Sequence, residues 1–318
     1  MSRWSSLLVA ATGLLACHLA LARVEDPPQK VDEIIVSGER AGPGLWHVQK
    51  GAAQLWIFAT VSPLPKDMTW RSKQLEKILD GTDRVLVAKP VEIGIARALW
   101  LLVTQRDLLM LGHGKKLKDV MPADLHARFA AQRAKFTKDA DKWEKFRPII
   151  AAAFLEEDAL HAVGLSTRLD LADEVRSLAR KHHVRIEEFK FAGLHDVLDA
   201  LKTLPPATEQ KCVAASLATI ETGMPRLIDR AQAWATGDVQ RIQSLPESAE
   251  VAQCRAAITV EPGAGDLYTL LRQTWVNNMA RHLETGGVTL AVVSMDMLIE
   301  PGGFLEALRS RGYTIDSP

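Results

Sequence analysis

The chain has 318 residues, 47% of them hydrophobic, enough to bury a sizeable core in one large domain or two small ones. Its 39 basic and 39 acidic residues balance, and no basic stripe with interleaved aromatics runs through it, which argues against a nucleic-acid partner. After the first segment no run reaches the ~18 apolar residues that a membrane span requires.

That first segment reads as a targeting signal. Arg3 gives a positive start, "LLVAATGLLACHLALA" (Leu7–Ala22) is apolar, and it ends in Ala20-Leu21-Ala22, a small-x-small cleavage pattern. Cleavage after Ala22 would deliver an exported protein, periplasmic or extracellular. A rival reading takes "LLAC" (Leu14–Cys17) as a lipobox and makes the product a lipoprotein through Cys17. Leu15 is not the usual small residue there, which favours the unlipidated product. Cleavage leaves Cys212 and Cys254, and an even pair in an oxidising compartment favours a disulfide.

Residues 23–44 are polar with Pro27, Pro28, Gly42, Pro43 and Gly44, and read as a flexible lead with at most one short extended piece, "DEIIVSG". From residue 45 to 318 a single domain is expected. "GLWHVQKGAAQLWIFAT" predicts two strands around a turn at Gly51. "WRSKQLEKILDGT" (Trp70–Thr82) has helical spacing with Leu75, Ile78 and Leu79 on one face, and "RVLVA" (Arg84–Ala88) predicts a buried strand. "IARALWLLVTQRDLLMLG" (Ile95–Gly112) is apolar almost all round, so a central helix is expected. "PADLHARFAAQRAKF", "DKWEKFRPIIAAAFLEEDALHAVG" and "LDLADEVRSLARKHH" continue the helical pattern. "VRIEEFKF" (Val184–Phe191) alternates as a strand does. Further helices are predicted from Leu194 to about Leu204, over Thr208–Thr236, at Gly237–Gln243 and over Gly265–Glu284. The chain ends β-α-β, through "GVTLAVV", "PGGFLEALRSRG" and "YTI". Strands near both ends predict an α/β (loosely α+β) fold: one mixed sheet built from N- and C-terminal segments, with a large helical portion between them.

The familiar catalytic signatures are missing. There is no H-E-x-x-H, paired C-x-x-C, G-x-S-x-G, G-x-G-x-x-G or P-loop. His195 and Asp199 stand at i and i+4 in "LHDVLDA", a spacing that suits a metal, but two ligands do not make a site. "KHH" (Lys181–His183) closes a helix, where cations complement the dipole. Ser62 ends a predicted strand in "WIFATVSPLP", yet no base is adjacent in sequence, and a nucleophilic serine needs one.

Taken together, four stretches resemble the TraB/GumN family, which also contains the pheromone-shutdown proteins and the Tiki metalloproteases. "GLWHVQKGAAQLWIFATVSPLP" is similar to the family's opening strand pair, which ends in Gly-Thr-Ile-His and a proline. "AWATGD" (Ala233–Asp238) is similar to its Trp-x-x-Gly-Asp junction. "LRQTWVNNMARHL" is similar to its Arg-Asn-x-x-Trp helix, and "GGVTLAVVSMDMLIEPGGFLEALRSRGYTI" to its closing segment. Coverage runs from about Gly44 to Ile315.

The resemblance implies a divalent metal held by two histidines and an acid. In its register the first Gly-x-x-His falls on Ala59-Thr60-Val61-Ser62, the acid falls near Ala88 beside Lys89, and the second Gly-x-x-His falls on "VSMD", which puts Asp296 near the other histidine. Arg272 and Trp275 match. The register therefore marks Thr60, Ser62, Arg272 and Asp296 as the candidate pocket, and Ser62, Asp296 and Arg272 are expected to converge. No metal and no other cofactor is expected. Asp296 and Glu92 are the available carboxylates, only Asp296 is in register, and Lys89 would repel a cation. The alternative is a divalent ion such as Mn or Co. The implied function is a non-catalytic envelope protein that binds an unknown protein or small-molecule ligand. The alternative is a hydrolase, either metallopeptidase-like with altered ligands or metal-free through Ser62.

Overall fold

The hairpin around Gly51 begins the architecture. In the computed structural model, which describes residues 42–89, 100, 103–112, 114–167, 169, 171–190, 192–245 and 247–318, β1 (Leu45–Lys50) and β2 (Ala53–Thr60) pair antiparallel. Gly51 turns the chain at φ 60°, a backbone region that costs glycine little. The signal segment, residues 23–41 of the lead and Glu92 lie outside the described residues. Gly42, Pro43 and Gly44, the last three residues of the lead, are buried.

The chain continues through β3 (Leu64–Pro65), α1 (Lys73–Leu79) and β4 (Arg84–Ala88). A helical middle follows, with α2 (Arg106–Leu109), α3 (Ala123–Phe136), α4 (Pro148–Ala162), β5 (Leu165–Ser166) and α5 (Leu171–Lys181). Then come β6 (Arg185–Phe189), α6 (Leu194–Thr203), α7 (Pro206–Ala218), α8 (Met224–Ala235), α9 (Val239–Ser244), α10 (Ala249–Val260) and α11 (Ala264–Thr285). The closing elements are β7 (Val288–Ser294), α12 (Met295–Ile299), α13 (Phe304–Ser310) and β8 (Thr314–Asp316).

Six strands form one sheet in the order β6-β4-β7-β2-β1-β8. The pairs β2 with β7, β4 with β7 and β4 with β6 are parallel, and β1 runs against both β2 and β8. Segments from both ends of the described chain therefore meet side by side in a mixed α/β sheet, as the strand pattern predicted. The central strand β7 buries five consecutive residues, Thr289 to Val293, which is why its sequence reads as a continuous apolar run rather than an alternation. The described residues belong to one compact unit, 40–318. Their apolar core falls into three clusters. One lies against the sheet, and two lie among α3, α4, α7 and the start of α8.

Three predicted helices differ from the observed ones for local reasons. The helix expected from Asp141 begins at Pro148, because proline lacks the N–H that an interior position donates and is best placed in the first turn. Residues before it zip onto the loop after α2 instead: Leu111 N donates to Lys145 O at 2.7 Å and Arg147 N to Leu109 O at 3.0 Å. Of the stretch from Ile95 to Gly112, expected as a central helix, residues 95–99, 101 and 102 lie outside the described residues; the described part is interrupted at Gln105, with Trp100 and Val103 55% and 80% exposed and Leu108 buried. The helix expected over Thr208–Thr236 is near-continuous but carries a π segment at Thr219–Gly223 between α7 and α8. Pro225 cannot donate to Glu221 and its ring crowds that carbonyl, so the turn before it widens.

The pair expected to form a disulfide does so. Cys212 on α7 and Cys254 on α10 have Cα atoms 4.7 Å apart, within the range of bridged cysteines.

His182, in the charge cluster at the end of α5, also joins α5 to α1. Its Nδ1 donates to Asp80 Oδ1 at 2.7 Å and its Nε2 to Glu76 Oε2 at 3.3 Å. The hydrogen bond to Asp80 raises the imidazole above its ordinary pKa, with Glu76 adding to it. Ser72, then Lys181 and His182, lower Glu76 to about 2. The His182 contribution is complete below about pH 6.5, its unfolded value, and is lost as pH rises through the higher folded value. The Glu76 contribution is present above about pH 4.3 and is lost as pH falls toward its folded value. The stability gap between wild type and His182→Gln should therefore be widest between about pH 4.5 and 6.5 and should narrow as pH rises. Thermal melts of both proteins across that range measure it, and a gap that grows with pH would refute the assignment.

Candidate functional site

Parallel strands present their carboxyl ends on one edge, and here that edge carries Thr60, Ser62, Ala88 and Asp296. Thr60 pairs with Ser294 in the β2–β7 ladder, so Ser62 and Asp296 each stand two residues beyond paired strand ends. Half-buried Thr60 fixes this junction by donating from Oγ1 to Val293 O at 3.1 Å. Ser62 is exposed, at the start of the turn that its cis peptide bond to Pro63 forms. Ala88 ends β4 on the same edge, since β4 also runs parallel to β7.

Asp296 lies in the first turn of α12, and its Oδ1 accepts from Arg230 Nη2 at 2.6 Å. Arg230 comes from α8, one helical turn before Trp234, so both side chains share a face of that helix. Trp234 is buried and donates from Nε1 to Ala59 O at 2.7 Å, packing against Phe58 and Trp70. Arg230 Nε is buried and has no hydrogen-bond partner among the described residues. At Ala88 a second guanidinium occupies the edge: Arg176 Nη2 donates to Ala88 O at 3.1 Å while the same side chain pairs with Asp173 and Glu188. Lys89, next in the chain, is exposed.

The "AWATGD" stretch acquires a physical account. Trp234 locks α8 to the end of β2. Gly237 sits at φ +76°, and a Cβ there would come within 2.7 Å of Gly42 O, so a side chain is excluded twice over. Asp238 caps α9 by accepting from Arg241 N at 2.8 Å.

Arg272 is tied to the turn that follows α12. From α11 its Nη1 donates to Gly302 O at 3.1 Å, and among the described residues no hydrogen bond or ion pair joins it to Ser62 or Asp296. Trp275 is buried against Phe189 and Phe304. His195 and Asp199 bond each other at 2.6 Å on an exposed face of α6, with Lys202 also on Asp199, so the pair satisfies itself.

The donors on this edge do not fit a transition-metal site. Asp296 is the one carboxylate in register, and a guanidinium already sits on it. A second guanidinium is bonded where the implied acid would stand. Among the described residues, no group of three or more His, Cys, Asp or Glu side chains is arranged to hold a metal ion. Arg230 and Arg176 were not anticipated from the sequence. For Arg230 a signal existed, since it stands four residues before the tryptophan of "AWATGD". For Arg176, inside an ordinary amphipathic helix, there was none.

A family model described as the TraB/PrgY/gumN family matches residues 44–317, nearly the whole chain. No curated protein and no solved structure matches it in the corresponding comparisons.

Proposed function

Because the chain belongs to the TraB/PrgY/gumN family, we propose that it is an exported, non-catalytic member that binds a ligand or partner in the cell envelope. One observation carries this reading: the Arg230–Asp296 pair at the carboxyl edge of the sheet. In family register Asp296 replaces a histidine, Ser62 replaces another, and Ala88 stands at the acid position. A guanidinium neutralises the remaining carboxylate and opposes a cation. A metal bound there would act by lowering the pKa of a water ligand, and that chemistry requires the missing donors. Export is supported by the apolar segment ending in Ala-Leu-Ala and by the cysteine pair. No helix among the described residues is long and apolar enough to cross a membrane.

Protein purified mildly from the native envelope tests both parts. Its intact mass should correspond to a chain starting at Arg23, and elemental analysis should give far less than one equivalent of Mn, Co or Zn. Peptidase assays with and without added Mn or Co should stay at background. One equivalent of metal that is lost in Asp296→Ala would establish the altered-ligand hydrolase instead. Metal-free hydrolysis abolished by Ser62→Ala would establish the serine alternative. A retained Met1, or a lipid on Cys17, would overturn the predicted cleavage.

A further inference from the structure

We propose that the groove between α11 and α13 binds a monocarboxylate, with Arg272 and Arg311 as the two groups that receive it. This names a ligand chemistry for the binding role proposed above and rests on that reading. The groove has a cavity volume of about 360 Å³, and its walls bring Arg272, Gln273, Ser310 and Arg311 together over an apolar floor of Val276 and Ala307.

Both arginines are steadied by neutral acceptors. Arg272 Nη1 donates to Gly302 O at 3.1 Å, and Arg311 Nη2 donates to Asn277 Oδ1 at 2.7 Å. Elsewhere Arg133, Arg147, Arg176 and Arg230 each hold a carboxylate. Among the described residues neither Arg272 nor Arg311 does. A guanidinium offers five N–H donors in a rigid fork, so each of these retains donors after its one recorded bond. Such forks match the two oxygens of a carboxylate.

The local backbone is built to hold Arg272 in place. Gly302 has φ +71°, and a Cβ there would lie 3.3 Å from Arg272 Nη1, so a side chain would be strained and would crowd the guanidinium. Glu306, the acidic residue of the groove, is engaged in the turn: Gly302 N donates to its Oε2 at 2.7 Å. Two guanidinium charges against one carboxylate leave the groove one charge positive. A monoanion would neutralise that charge. The floor of Val276 and Ala307 selects an acid with a short apolar side chain. Two sources share this chemistry, a free organic acid and the C-terminal carboxylate of a peptide.

Calorimetric titration of the full mature chain distinguishes them. The probes are N-acetyl-leucine, its methyl ester, a tetrapeptide ending in leucine with a free carboxylate, and the same peptide amidated. Both acids should bind at least about tenfold more tightly than their neutral forms. A peptide that binds more tightly than N-acetyl-leucine identifies chain ends as the source, and equal binding identifies the free acid. Arg272→Lys and Arg311→Lys should each weaken the acids about tenfold and leave the neutral probes unchanged, because lysine keeps the charge but loses the fork. Arg311 is exposed, so its variant reports binding without touching the core. Equal binding of acids and neutral forms, or no binding of the acids up to about 10 mM, would overturn the inference. If metal analysis succeeds as expected but the acids do not bind, only the groove assignment fails. If metal is found while the acids still bind, the non-catalytic reading fails and the groove stands.

Discussion

Replacing Cys212 and Cys254 with alanine should lower the unfolding free energy by about 4 kcal/mol in the chain-entropy model. The bond closes a loop with a sequence separation of 42, and the entropy removed from the unfolded chain grows with the logarithm of that length. Within α10 Ala257 is the one fully buried residue, and Cys254 is partly buried. Across the same junction with α7, Thr208 Oγ1 donates to Glu261 Oε1 at 2.6 Å. Urea unfolding of the oxidised protein and the double-alanine variant measures the difference. The variant should also show the steeper denaturant dependence, because its unfolded chain is less constrained and exposes more surface. A loss under about 1 kcal/mol would refute the chain-entropy expectation.

Trp234→Ala should cost about 3–5 kcal/mol, the range for truncating a large buried aromatic residue. The residue is 1% exposed, and its ring meets Phe58 and Trp70 at centroid distances of 6.1 and 5.7 Å. Truncation would open a cavity between α8 and the end of β2 and would leave Ala59 O without the Nε1–H that it accepts at 2.7 Å. Trp234→Phe separates the two terms. It retains most of the ring contact and loses the hydrogen bond, so about 1–3 kcal/mol is expected from the orphaned carbonyl. Equilibrium unfolding followed by circular dichroism reads both variants. Should Trp234→Ala cost less than about 1 kcal/mol, the claim that this side chain locks α8 onto the strand end would fail.

The readable parts of the molecule were those with a local physical signal. The hairpin turn declared itself through Gly51 between two apolar runs, because the chain there reverses within two residues. The α/β layout followed from strand-like runs near the two ends of the domain with helical spacing between them. Where the reading went astray, a single residue overrode a good periodicity. Pro148 moved the start of α4, and Pro225 widened the turn between α7 and α8. The described part of the stretch from Ile95 to Gly112 departs from its reading for a different reason. Its composition suggests burial, but burial depends on what packs against it, and Trp100 and Val103 are exposed.

The sequence by itself determined the family, the class of fold and the cysteine pairing, since each rests on ordered motifs, on periodicity or on an even count of two. The family resemblance also carried Thr60, Ser62 and Asp296 to the ends of predicted strands. Only the tertiary structure decided what stands beside them. Arg230 reaches Asp296 across 66 residues, Arg176 reaches Ala88 across 88, and Arg272 meets Gly302 across 30. No periodicity encodes such meetings. They depend on the path of the chain between the partners, and that path is set by how α5, α8 and α11 pack on the sheet. The Arg230–Asp296 pair at the carboxyl edge, and the two arginines that share a groove, both arise from that packing.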